Sequence, residues 1–304
     1  MCIYGGQTED SMLRLSRSQT GSLSWGDSVT RQLSTSWPPR GKRLEGKVCI
    51  VTGAGSRGPG IGNGRAIAII FAREGAHVVL VDRQRDRAQE TLTSFDDDER
   101  GRARFVEADV SIDDDCARIV GQTMNAYDRI DVVVNNVGIA GPAGNAVDVD
   151  MNDWERAMRV NVGSMVLMAK HAVPFMAARG SGSIVNISSI AGLLGGFPSL
   201  FYPVSKGSLL PLTRVMASQH GSQGIRVNCV APGLVYTPMV AARGMSPETR
   251  ENRRLAGALK SEGDAWDVAY AVLYLASEEA RWITGVFIPV DGGLALGGRS
   301  NDGT

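Results

Sequence analysis

Residues 52–66 read TGAGSRGPGIGNGRA, preceded by the apolar run VCIV (48–51) and followed by IAIIFA (67–72). A strand-like segment thus enters a glycine-rich turn that leads directly into a helix-like one. Glycines at such a turn allow positive φ and let backbone N–H groups approach an anion at a helix N-terminus. The reading is a pyrophosphate cradle. A glycine-rich turn alone is weak evidence, because ordinary tight turns use the same residues. Its context strengthens it: a second strand, HVVLVD, ends at Asp82, twenty residues beyond Gly62. A carboxylate there can accept from both hydroxyls of an adenosine ribose and repel a 2′-phosphate. The competing role for Asp82 is capping the following helix. Arg57 and Arg83 pull toward a 2′-phosphate; the balance favours NAD over NADP.

Downstream, short β-branched runs alternate with helical segments. The strands expected are 47–52, 77–82, 103–107, 131–135, 183–188, 225–230 and 286–290, separated by stretches such as 152–178 and 264–280. Strands apolar on both faces suit a parallel sheet covered by helices on both sides. Seven of them in this alternation predict an α/β fold, a doubly wound seven-stranded parallel sheet of Rossmann type, in a single domain over 44–298. In such a sheet ligands bind beyond the carboxyl ends of the strands, so the strand exits are the informative positions. The acidic run 96–99 reads as a solvated loop, and 113–115 as a helix start, where acids meet the positive end of the dipole.

The fifth strand exit carries a second signal, ISSIAGLLGGFPSLFYPVSKG (187–207). Tyr202 and Lys206 are four apart and share one helix face. A free phenol, with a pKa of about 10, is a poor base near neutrality. A neighbouring ammonium stabilises the phenolate and lowers that pKa. The pair can therefore move a proton to or from an alcohol oxygen.

With these motifs in place, the chain resembles the short-chain dehydrogenase/reductase family in its single-domain form, from about Leu44 to Leu296. The motifs run in the family's order: TGAGSRGPGIG, then ADV (108–110), NNVG (135–138), RVNVGS (159–164), ISS, the Tyr–Lys pair, RVNCVAPGLVYTPM (226–239), ITG and VDGG. The resemblance implies interconversion of an alcohol and a ketone with NAD, NADP being the lesser choice. It casts Tyr202 as acid or base and Lys206 as the cation that lowers its pKa and binds the nicotinamide ribose. Ser189, thirteen residues before Tyr202, would hydrogen-bond the substrate oxygen, with Ser188 as a rival, and Asn161 would hold a water linking Lys206 to solvent. Cofactor contacts are implied for Gly53, Gly60, Ile61, Gly62, Asp82, Asp109, Val110, Asn136, Gly138, Tyr202, Lys206, Pro232, Gly233, Val235 and Thr237. The other reading of this fold is a non-catalytic protein that senses a dinucleotide; the presence of Ser189, Tyr202 and Lys206 favours the enzyme.

Three departures from the family pattern stand out. Six residues separate Gly53 from Gly60 where three are usual, which places an insertion within 56–59, bulging over the adenosine side while Gly60 and Gly62 keep the helix-start geometry. Val137 replaces a small alanine. Pro211 removes the amide that would bond Gly207, so a kink is expected past the catalytic turn.

Composition sets limits on partners and location. The 304 residues are 43% hydrophobic, with Lys plus Arg equal to Asp plus Glu at 32 each. No global field recruits nucleic acid or an anionic membrane. Cys2, Cys49, Cys116 and Cys229 are scattered, and His77, His171 and His220 lack metal-ligand spacing, so no metal site is expected. Residues 1–43 are rich in Ser, Thr, Arg and Gln and read as a disordered extension; a transit peptide is weakened by Glu9, Asp10 and Asp27. A cytoplasmic protein is expected, with a frayed tail at 299–304. Residues 237–263 would form a flap over the substrate, with Arg243, Arg250, Arg253 and Arg254 as candidates to grip a carboxylate. Leu193, Leu194, Phe197 and Phe201 would line the opposite wall, implying a largely apolar alcohol. By family resemblance the chain forms a homotetramer or dimer on helices 152–178 and 200–220.

Overall fold

A computed structural model describes residues 40–241 and 244–296. Its strands are β1 (Val48–Thr52), β2 (His77–Asp82), β3 (Ala103–Glu107), β4 (Val132–Asn135), β5 (Gly182–Ile187), β6 (Ile225–Pro232) and β7 (Phe287–Val290). They form one seven-stranded sheet in the order β3-β2-β1-β4-β5-β6-β7, and every pairing is parallel. The order reverses between β1 and β4, which makes that crevice the ligand-binding position of the fold. The sheet matches the expected one, each strand lying within two residues of its expected ends.

Alternation along the strands builds two cores. Cys49, Val51, Val78 and Leu80 face one layer, together with Ile67, Ile70 and Phe71 of α1 (Asn63–Arg73) and Val268, Val272 and Leu275 of a C-terminal helix, Ala265–Ala276. Ile50, Val79 and Val81 face the other layer, with Ile119, Met168 and Met216. These come from Asp113–Tyr127, Ser164–Arg179 and Leu209–His220. Strand side chains point to opposite faces with period two, so a strand buried on both sides must be apolar throughout.

Among the described residues the other helices, in chain order, are α2 (Arg85–Thr93), α3 (Asp97–Gly101), α4 (Asp113–Tyr127), α5 (Met151–Met158), α6 (Ser164–Arg179), α7 (Phe201–Gly207), α8 (Leu209–His220), α9 (Pro238–Ala241), α10 (Pro247–Ala256) and α11 (Ala265–Ala276). A π-helical turn, Arg159–Gly163, joins α5 to α6 without a break. The acidic run at 113–115 opens α4 as expected. The run at 96–99 is a helix start and not a solvated loop. Asp96 caps α3 by accepting from the Glu99 amide at 2.9 Å, while the Glu99 carboxylate accepts from the Asp96 amide at 3.0 Å. This D-x-x-E box satisfies two amides and draws Glu99 to 2% exposure.

The irregularity expected from Pro211 falls at Ser208, which keeps helical dihedrals (φ −64°, ψ −18°) between the two helices. α7 ends at Gly207 and α8 starts at Leu209, because Pro211 has no amide for the Gly207 carbonyl. Residues 40–43, assigned from sequence to the extension, already join the domain. Gly41 donates to the Arg73 carbonyl at 3.0 Å, and Arg43 grips Glu279 through two bonds of 2.8 and 2.7 Å. The rest of the expected extension, and the tail 299–304, lie outside the described residues. Among the described residues no helix is long and apolar enough to cross a membrane.

Candidate active site

The β1 exit sets the register of the site. Gly53 has φ +63°, and α1 begins at Asn63 with Gly62 as its N-cap. No side chain caps this helix and no acid lies in its first turn, so its first N–H groups and dipole are available to an anion. A Cβ on Gly64 would lie 1.9 Å from the Gly53 carbonyl oxygen and 2.6 Å from Asn136 Nδ2, whereas one on Gly62 would meet nothing nearer than Ser56 Oγ at 3.5 Å. The closing glycine pair is therefore Gly62–Gly64, not Gly60–Gly62. Eight residues, 54–61, stand between Gly53 and that pair, so the loop carries five extra residues and not three. The sequence GIGNG offers two overlapping G-x-G registers; the tight packing of helix on strand decides between them.

The lengthened loop also runs in an unexpected direction. Gly55 donates to the Asp82 carboxylate at 3.1 Å, but two residues later Arg57 donates to the Gly138 carbonyl at 3.2 Å, and Gly58 and Gly60 face Pro238. The loop crosses toward the β4 and β6 exits and does not bulge over the adenosine side. Its stems are held by Arg65, which sequence reasoning passed over. This buried guanidinium donates to the Gly60 carbonyl (3.0 Å), the Arg87 carbonyl (3.3 Å), Thr91 Oγ1 (3.1 Å) and Glu90 (2.6 Å). Thr91 in turn donates to the Ala54 carbonyl at 2.8 Å. Loop stem and α2 thus form one bonded unit.

At the β2 exit Asp82 accepts from the amides of Gly55 and Gln84. It sits beside the glycine turn, and the N-cap position of α2 is Gln84, whose side chain makes no capping bond. Asp109, at the β3 exit, accepts from the amide and hydroxyl of Ser111, and Val110 beside it is buried. At the β4 exit the Asn136 side chain donates to the carbonyls of Thr52 and Gly53, both at 3.1 Å, tying β1 to β4. Val137 fits closely, its Cγ2 lying 3.2 Å from where a Gly53 Cβ would be.

The π turn brings Asn161 inward. It is fully buried; Oδ1 accepts from the Ile139 amide at 2.8 Å, and Nδ2 donates to the Ile139 carbonyl (2.9 Å) and Ser205 Oγ (3.0 Å). Both amide protons are engaged, so this side chain braces the β4 exit loop, with one Oδ1 lone pair left for a water.

The β5 exit and α7 meet around Lys206. Its ammonium donates to the Ile187 carbonyl at 2.9 Å, and Ser188 Oγ donates to the Lys206 carbonyl at 2.7 Å. One strand end therefore holds both head and backbone of the lysine. Burial lowers its pKa to about 8, opposed by the nearby Cys229. A Cβ on Gly138 would lie 3.0 Å from the Lys206 ammonium and 3.7 Å from Asn161 Oδ1, so the three residues share one corner. Ser188, the rival for the serine role, is buried with its proton committed to Lys206. Ser189 is half-buried and opens the 3₁₀ turn Ile190–Gly192, its Oγ accepting from the Ala191 amide at 3.2 Å. That turn abuts α7 backbone to backbone: a Cβ on Gly192 would come within 2.5 Å of the Gly207 nitrogen. Tyr202, half-buried, lies one turn before Lys206 on the same face.

At the β6 exit Gly233 bonds Val290 and has no space for a side chain against Asp291, while Val235 and Thr237 are nearly buried. Two expectations for the substrate walls change. Phe201 is fully buried, edge-on to Trp154 at 5.3 Å and against Gly141, so it packs the core and lines no pocket. In the flap, Arg250 holds Glu262 through two bonds and stacks 3.9 Å over Tyr236, and Arg254 holds Glu251. These guanidiniums brace the flap itself; Arg243 lies outside the described residues. Leu193, Phe197, Met239 and Leu255 remain exposed.

The residues present fit a dinucleotide. Gly53 takes a left-handed turn, Gly64 lets α1 pack directly on it, and the N-terminus of α1 carries neither a side-chain cap nor an acid in its first turn, so its N–H groups suit a diphosphate. Fold and site together define an oxidoreductase of the dinucleotide-binding, doubly wound class. The family pattern described as Enoyl-(Acyl carrier protein) reductase matches residues 58–295. Meso-2,3-butanediol dehydrogenase of Serratia marcescens is 36% identical over 251 residues, covering 83% of this chain and 95% of its own. A short-chain type dehydrogenase/reductase of Mycobacterium ulcerans superposes with TM-score 0.77 at 31% identity, over 83% of this chain and 91% of its own. ElxO with NADP bound does so with TM-score 0.75 at 28% identity, over 82% and 99%. The chain belongs to the short-chain dehydrogenase/reductase family, whose members work with NAD or NADP.

Proposed function

We propose that the protein interconverts a secondary alcohol and a ketone, with Tyr202 as the general acid–base and NAD as the preferred coenzyme. The dinucleotide, when bound, supplies or accepts the hydride. In the oxidising direction the Tyr202 phenolate takes the hydroxyl proton; in reduction the phenol returns it to the carbonyl oxygen. Ser189 donates a hydrogen bond to that same oxygen. Lys206, buried at 4% exposure and one turn from Tyr202, favours the phenolate electrostatically. That buried lysine, sharing a helix face with Tyr202 where the β4 and β5 exits meet α7, is the observation that carries the reading.

Asp82 beside the glycine turn supports NAD, since a second negative group at the ribose would be repelled; ElxO, with NADP bound, shows that the related fold accepts the phosphorylated form. The name of the Serratia relative supports a secondary alcohol. Exposed Leu193, Phe197, Met239 and Leu255 on the segments flanking the site support an apolar substrate. Val166, Phe175 and Val215, exposed on α6 and α8, support self-assembly through those helices. A panel of secondary alcohols and ketones, followed by the absorbance of reduced nicotinamide with each coenzyme, tests the reading. An enoyl thioester belongs in the panel, because the matching family pattern is described by that activity. Turnover of the enoyl thioester with no carbonyl compound or alcohol accepted would refute the proposal.

A further inference from the structure

The lengthened glycine loop fixes three points along the cleft. Gly55 bonds Asp82, where the adenosine ribose is expected. Arg57, two residues on, donates to the carbonyl of Gly138 at 3.2 Å. Gly138 abuts the Lys206 ammonium, where the nicotinamide ribose is expected. The diphosphate is what joins the two riboses, so the Arg57 side chain, rooted two residues from the Asp82 contact and ending at Gly138, spans the space between them. The same loop ends at the uncapped, acid-free N-terminus of α1.

The loop is held for this task. Arg65 anchors the Gly60 carbonyl, Thr91 anchors that of Ala54, and Gly60 turns the chain at φ +107°. Both stems are fixed, and Arg57 is exposed at the tip. A guanidinium suits a phosphate, because charge-assisted bonds are roughly twice as strong as neutral ones and the planar fork matches phosphate oxygens. The sequence reading offered Arg57 a 2′-phosphate. Its reach toward Gly138, on the far side of the turn from Asp82, argues against that partner.

We propose that Arg57 binds the bridging diphosphate of the dinucleotide, as the cation that the five extra residues carry across the cleft. This rests on the reading of the site as a dinucleotide site. Titration calorimetry of NADH, NADPH, ADP-ribose and adenosine into the wild type, Arg57→Ala and Arg57→Lys tests it at low and moderate salt. Arg57→Ala should weaken NADH and ADP-ribose by about tenfold or more, the loss of one charge-assisted hydrogen bond, and leave adenosine unchanged. Arg57→Lys should recover part of the loss, and the salt dependence of ADP-ribose binding should shrink in Arg57→Ala. Unchanged ADP-ribose affinity in Arg57→Ala overturns the assignment while leaving the coenzyme reading intact. A loss confined to NADPH overturns it in favour of the 2′-phosphate. A folded wild type that binds none of the nucleotides overturns both.

Discussion

A side chain on Gly64 would be driven into the carbonyl oxygen of Gly53, 1.9 Å from its Cβ. Helix α1 can rest on the β1 exit only because position 64 is glycine; Gly53 is required separately, by its φ of +63°. Backbone cannot yield as a flexible side chain does, so Gly64→Ala should destabilise the fold by about 3 kcal/mol or more, at the upper end of overpacking effects. Gly62 has φ −88° and a Cβ there would make only ordinary contacts with Ser56, so Gly62→Ala should stay within about 1 kcal/mol. Urea midpoints of the two variants read the register directly; the reverse order would return the closing pair to Gly60–Gly62.

Lys206 makes stability depend on pH. Its folded pKa of about 8 lies below the ordinary 10.5 because burial disfavours the ammonium. Below pH 8 both states carry the proton and the fold bears a buried charge. Between 8 and 10.5 the unfolded chain holds the proton and the folded chain does not, so stability contributed by this group rises with pH. The full span is worth about 3 kcal/mol. In urea titrations the stability of Lys206→Met relative to wild type should fall by about that amount from pH 7.5 to pH 10.5. A constant difference across that window would show the ammonium to be as well stabilised inside as in water.

Much of this was legible in the sequence, and the failures share a cause. Strand runs such as VCIVT and HVVLVD are apolar on both faces, and only a doubly covered parallel sheet accommodates them, so topology followed from local pattern. Tyr202 and Lys206 lie one turn apart, and their common face follows from helix geometry alone. The register of GIGNG did not, because both readings satisfy the local rule and only the contact of Gly64 with Gly53 separates them. Arg65 was invisible for a related reason: its four partners lie on α2 and the loop, positions that only the tertiary fold brings together. Phe201 was grouped with Leu193, Leu194 and Phe197 as a pocket wall, yet it turns inward to Trp154, since successive helix residues diverge by about 100°.

Asp82 accepts from Gly55 and Gln84 at the edge of the proposed adenosine site. Asp82→Ala removes both a ribose acceptor and the charge that would repel a 2′-phosphate. The ratio of NAD to NADP affinity should fall by about tenfold, roughly one charged hydrogen bond, as read by equilibrium titration with each coenzyme. An unchanged ratio would remove Asp82 from coenzyme selection.

The most direct test of the proposed chemistry is Tyr202→Phe, measured for turnover and for coenzyme affinity in the same preparation. The variant keeps the ring and deletes only the oxygen that would handle the proton. Turnover of a secondary alcohol or ketone accepted by the wild type should fall by about 10² to 10⁴-fold, while NADH binds as tightly as before. Wild-type turnover in Tyr202→Phe would show that another group moves the proton, and the account built on Tyr202 and Lys206 would be wrong.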